Sequence, residues 1–146
     1  MDSLAKGKNL YSQGLFDEAI FLFLNSYKEN PFIEEGREGA SLAKETFRIK
    51  TLYEKAQYYF KKGDLKFALS CFKSEASQKL PPKITFFMNE VQERLDQKGK
   101  TLYLEAYALE ENNPKLAREK YKAVLDALEE KQEYYQKAIR KLSSLP

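Results

Sequence analysis

Side chains able to do chemistry are few in this chain, and their placement is poor for it. Among 146 residues there is no His and a single Cys, Cys71. The proton transfers that imidazole performs near neutrality are therefore missing, and neither an internal disulfide nor a zinc site of the familiar Cys/His spacings can form. Cys71 stands beside Phe72 in a stretch of helical spacing, where a small thiol packs as an inert hydrophobe. Carboxylates occur as adjacent pairs, Glu34-Glu35, Glu110-Glu111 and Glu129-Glu130. Neighbours on a helix point apart, so these pairs serve solvated faces and do not share a proton or a cation. Gly36 and Gly39 flank Arg37-Glu38 inside a helical stretch and lack the preceding strand of a phosphate-cradling loop. The expectation is a non-enzyme with no catalytic residue, no metal and no cofactor.

Charge and hydropathy narrow the class further. The 25 Lys and Arg are interspersed with 22 Asp and Glu, giving a net charge of +3 without a basic block, which is a weak basis for nucleic-acid binding. No stretch approaches the roughly 20 apolar residues of a membrane span, and the start Met1-Asp-Ser-Leu-Ala-Lys6 lacks the basic and apolar pattern of a signal peptide. A cytoplasmic chain without membrane insertion is expected. With 32% charged and 14% aromatic residues, it should fold as one domain spanning residues 1–146.

A few aromatics and small residues fall into a repeat. Gly14 is followed by Ala19 and Phe23, Gly63 by Ala68 and Phe72, and Asn112 by Ala117 and Tyr121, each set 49 residues after the last. Glycine permits the left-handed turn that ends one helix, and asparagine is its usual substitute. The alanine lets two antiparallel helices approach, and the aromatic one turn later fills the space where they diverge. Asp64 and Asn113 can cap the second helices of two hairpins, the latter with Pro114 at the first position; Leu15 holds the same place in the first hairpin and cannot cap. Residues 33–62 and 83–111 read as long first helices, with Gly99 offering a break in the second. Pro31 and Pro81-Pro82 stop the helices before them, and an amphipathic segment at 131–145 covers the open end.

The first block closely resembles the tetratricopeptide repeat. Gly7, Leu10, Gly14, Ala19, Phe23 and Pro31 occupy the family's small, aromatic, turn, alanine, aromatic and proline places, and Ala56, Tyr59, Gly63, Ala68 and Phe72 fill them in the second block. The third is degenerate. The resemblance implies an all-α solenoid of helical hairpins with about seven to nine helices and repeats near residues 2–31, 50–81 and 99–130. The 49-residue spacing departs from the family's period of about 34. Arrays with such extended helices resemble repeat segments of bacterial signalling, motility and secretion proteins.

Function follows from the resemblance as a scaffold or adaptor that binds another protein. In the family the first helix of each hairpin lines a groove, which implies a partner-binding set of Lys8, Tyr11, Ser12, Tyr53, Gln57, Phe60, Lys61, Leu102, Ala106 and Leu109. The competing reading of these residues is ordinary core packing. A clamp for a C-terminal carboxylate is disfavoured, because Lys8 and Gln57 stand where such clamps place Asn. Leu15, Phe21 and Leu24 add an apolar patch to a helix face that is polar in the other two blocks. Either the helix after Pro31 folds over that patch, or it forms an interface with a second copy or a partner; Phe86 and Phe87 raise the same question. The alternatives are a small secretion-type chaperone and, from another class, a helical repeat that binds single-stranded nucleic acid.

Overall fold

The computed structural model describes residues 2–75 and 79–145, and among them the chain is all helical. Seven α-helices follow in order: α1 Ser3–Ser12, α2 Phe16–Glu29, α3 Glu34–Lys61, α4 Leu65–Ser70, α5 Pro82–Leu109, α6 Pro114–Ala127 and α7 Glu133–Ser144. Each packs mainly against the helix before it and the helix after it, with lesser contacts from α1 to α3 and from α5 to α7.

Local chemistry explains most of the boundaries. Asp2 accepts from the Ala5 amide at 2.8 Å, Asp64 from Phe67 at 3.2 Å and Asn113 from Leu116 at 3.1 Å, so α1, α4 and α6 start on capped amides. Leu15 precedes α2 without a side-chain cap. The α1–α2 and α3–α4 turns pass through Gly14 and Gly63, at φ 78° and 85°. The third turn differs from expectation. Asn112 does not take the left-handed conformation, for no described residue other than glycine has positive φ; there the chain closes with the Asn113 amide on the Leu109 carbonyl at 2.8 Å.

Two further expectations are corrected. Gly99 does not break α5, because it is buried where α5 meets Leu128 and the helix runs through it. The second helix of the middle hairpin also stops well short of Pro81. It ends at Ser70, and a 3₁₀ turn at Lys73–Glu75 follows in which Glu75 turns inward to pair with Arg48 on α3. Part of the expected remainder, residues 76–78, lies outside the described residues.

The core forms three linked clusters. Ala19, Phe23 and Ala43 join α1, α2 and α3, while Phe16, Ile49, Ala56, Phe72 and Ile84 join α2 to α5. Leu95, Ala106, Ala117, Tyr121, Val124, Leu128 and Ala138 join α5, α6 and α7. The hairpin markers Ala19, Ala68, Ala117, Phe23, Phe72 and Tyr121 are all buried, as close helix approach requires. Helix α7 closes the end, burying Ala138 and packing Tyr134, Tyr135 and Leu142 inward, with Gln136, Arg140 and Ser143 outward.

Candidate functional site

The proline pair fixes where α5 begins, and that start creates the most distinctive surface. With Pro82 in its first turn, α5 runs beside the C-terminal half of α3. Tyr53, Gln57, Phe60 and Lys61 recur at three- and four-residue spacing on α3, and Lys83, Phe86, Phe87 and Glu90 do so on α5, so each set shares one helix face. Together they line an open depression of ≈ 380 Å³. A neighbouring hollow of ≈ 320 Å³ shares Tyr53, Gln57 and Lys83 and adds Phe16, Asp17, Glu18, Lys50 and Glu54.

Aromatic contacts hold the floor. Tyr11 meets Phe16 at 5.9 Å between ring centres, Phe16 meets Tyr53 at 6.3 Å, Tyr53 meets Phe87 at 5.3 Å and Phe87 meets Phe60 at 5.4 Å. Most are edge-on, a geometry worth about 0.5–1.5 kcal/mol per pair beyond area burial. The row ties α1, α2, α3 and α5 together and leaves Phe86, 72% exposed, standing at the rim.

Cations frame this apolar floor. The Lys83 ammonium donates to the Gly14 carbonyl at 3.2 Å and lies 5.7 Å from the Phe16 ring centre and 5.5 Å from that of Tyr53. Arg94 lies 4.9 Å over Phe60 and pairs with Glu90 at 3.3 Å. Burial, and secondly the Glu90 charge, push the Tyr53 phenol above its ordinary pKa, so it stays neutral and can donate a hydrogen bond at the wall. Lys61, Lys83 and Arg94 against Glu90 leave the rim cationic. Such a surface can bury an apolar anchor and orient a carboxylate beside it.

Not all the expected groove residues meet here. Tyr53, Gln57, Phe60 and Lys61 do. Tyr11 packs one step away, half-buried against Phe16. Lys8 is exposed and pairs with Glu38 at 2.9 Å, and the exposed Ser12 hydroxyl donates to the Asn9 carbonyl at 2.7 Å; both lie outside the depression. Leu102, Ala106 and Leu109 are elsewhere, because the C-terminal half of α5 is taken up by α6 and α7. Ala106 is fully buried there, with Leu102 and Leu109 packed against the same cluster. For these three the core reading fits. Lys83 and Glu90 were not anticipated: the 49-residue spacing relates one hairpin to the next and carries no signal for α3 lying against α5.

The second candidate surface is open. Leu15, Phe21 and Leu24 are 41%, 64% and 46% exposed, so α3 does not fold over them. It packs on the opposite side of α2, where the Ser26 hydroxyl donates to the Glu35 carbonyl at 3.3 Å. Phe47 on α3 is 61% exposed as well.

Groups with potential reactivity are muted. Cys71 is half-buried, its thiol donates to the Phe67 carbonyl at 3.5 Å, and burial pushes its pKa up, which disfavours the thiolate. Among the described residues no set of three or more His, Cys, Asp or Glu could hold a metal ion, and no helix is long and apolar enough to cross a membrane. No protein-family model, curated protein or solved structure matches the chain.

Proposed function

We propose that this chain is a protein-binding scaffold, three hairpins of degenerate tetratricopeptide type whose α3–α5 depression holds a short segment of a partner. The observation that carries the reading is the convergence of Tyr53, Phe60, Phe86 and Phe87 with Lys61 and Lys83 around one open hollow. Phe86 is the key residue: a phenylalanine 72% open to water contributes little to the fold, yet it is placed to close over an apolar guest. The guest chemistry is an aromatic or large aliphatic anchor followed by acidic residues. A nucleic-acid reading is disfavoured because Asp17, Glu18, Glu54 and Glu90 interrupt the lysines along the two hollows, so a polyanion finds no continuous cationic track. A place within a larger bacterial signalling, motility or secretion protein, or as a small secretion-type chaperone, rests on the resemblance alone.

The test is capture of host proteins by the tagged chain, mapping of the bound segment, and titration of that segment against variants by fluorescence anisotropy. Phe86→Ser should weaken binding by at least about tenfold with an unchanged helical circular dichroism spectrum. Lys61→Glu should weaken it less and make the remaining affinity less sensitive to salt. Equal affinity in wild type and Phe86→Ser would exclude the depression as the binding surface.

A further inference from the structure

The outer face of α2 carries an internally complementary pattern that the α3–α5 depression does not use. Asp17, Phe21, Leu24 and Lys28 follow at intervals of four, three and four residues, the spacing of one coiled-coil seam. Laid antiparallel on a second copy of itself about a two-fold axis, this seam sets Phe21 against the other copy's Leu24 and Asp17 against its Lys28. Both relations are satisfied at once because the stripe is acidic at its start, apolar in the middle and basic at its end. The end charges are available. Asp17 pairs with Lys50 through one carboxylate oxygen while its side chain remains 73% exposed. Lys28 is exposed without an ion-pair partner among the described residues.

Surface area agrees with a specific but weak contact. An aromatic side chain presents about 150–250 Å², so Phe21 and Phe47, 64% and 61% open, together with the partly open Leu15, Leu24 and Tyr27, offer on the order of 400 Å² of apolar surface per copy. Phe47 lies one turn before Lys50, on the Asp17 side of the α2–α3 seam. Beside Phe21 lies a hollow of ≈ 430 Å³ lined by Leu10, Asp17, Glu18 and Leu22, which gives an incoming side chain a place to insert. Two such faces and their polar rims reach the lower end of specific interfaces, roughly 1,200 Å² in total. We propose that the chain forms a two-fold dimer through antiparallel α2 helices, with Phe21 and Leu24 at the centre and Asp17–Lys28 pairs at both ends.

Sedimentation velocity from micromolar to about millimolar chain tests this, with circular dichroism to verify the fold of each variant. Wild type should shift with concentration from a 17.0 kDa monomer toward twice that mass, and Phe21→Ser should remain monomeric. Lys28→Glu alone and Asp17→Lys alone should each weaken self-association by at least about tenfold, since each replaces two attractions with two repulsions. An equimolar mixture of those two variants should dimerise again, because every pair across the axis is then opposite in sign. A monomer throughout the range would overturn the proposal, as would a dimer indifferent to Phe21→Ser or a mixture no more associated than its components. A dimer disrupted instead by Phe86→Ser would place self-association in the α3–α5 depression and likewise overturn it.

Discussion

Replacing Gly39 with Ala sets two effects of known size against each other. In a helix interior Ala is favoured over Gly by about 0.8–1 kcal/mol, so at an open position the change would stabilise α3. Gly39 is buried where α3 crosses α2, and a Cβ there would stand 2.6 Å from the Phe23 carbonyl oxygen and 3.0 Å from the Ser26 Cβ. Ordinary contact begins at 3.4 Å, so the helices must part by about 0.8 Å against a backbone atom that cannot rotate away. The Ser26–Glu35 hydrogen bond across the crossing, already 3.3 Å long, is strained by the same movement. Overpacking of this kind costs about 1–3 kcal/mol. With a backbone obstacle the upper half of that range applies, and after the propensity gain the expected net loss is about 1–2 kcal/mol. In thermal unfolding followed by circular dichroism, that corresponds to a fall in Tm of roughly 3–8 °C for a domain of this size. An unchanged or higher Tm would refute the tight crossing, and with it the explanation of why α3 lies on the far side of α2 from Phe21.

Three other outcomes follow from single sites. Gly63→Ala should cost about 1–2 kcal/mol in the same melt, a purely conformational penalty, since φ is 85° and nothing lies within 4 Å of the new Cβ. Glu75 is buried and bonded through Oε2 to Arg48 at 3.0 Å, and the guanidinium holds its carboxyl below the ordinary value. Its contribution is therefore present above the unfolded carboxyl pKa of about 4.3 and is lost as pH falls through the folded one; urea unfolding at pH 7 and pH 3 should show a smaller acid-induced loss in Glu75→Gln than in wild type. Leu15→Asp should raise stability by about 1 kcal/mol and raise Tm accordingly, by supplying the cap that α2 lacks.

Much of the helix plan could be read from residue types, because turns and close approaches select them directly. Gly14 and Gly63 mark turns with positive φ, and the buried Ala19, Ala68 and Ala117 mark the interior face of each second helix. The long helices anticipated at 33–62 and 83–111 are α3 and α5 to within two residues at each end. Half of the candidate depression was visible for the same reason, as Tyr53, Gln57, Phe60 and Lys61 form one helical stripe. What failed to show was lateral placement. Which helices lie side by side depends on crossing geometry, and at α2–α3 that is set by Gly36 and Gly39, whose lack of side chains lets α3 approach the Asn30 and Phe23 carbonyls. Nothing in a single helix's periodicity announces that Lys83 will reach the Gly14 carbonyl, or that Leu102, Ala106 and Leu109 will be covered by α6 and α7. Asn112 misled for a different reason: asparagine tolerates the left-handed turn without requiring it, and this turn closes through the Asn113 amide instead.

Leu15 is where stability and surface chemistry part. Its backbone, at φ −90° and ψ 74°, nearly reproduces that of Asp64 at φ −85° and ψ 76°, and Asp64 does cap its helix. The geometry for a cap is therefore already in place before α2, and leucine there forgoes about 1 kcal/mol while leaving an apolar side chain 41% exposed. A residue that satisfies neither the helix end nor the core is explained by what it presents outward. Leu15 precedes the acidic end of the Asp17–Lys28 stripe and lines the hollow shared by Asp17, Lys50 and Tyr53. If Leu15→Asp raises Tm and at the same time weakens self-association, stability has been exchanged for contact. If it raises Tm and leaves the sedimentation profile untouched, the α2 contact stops short of residue 15 and rests on the four residues of the stripe.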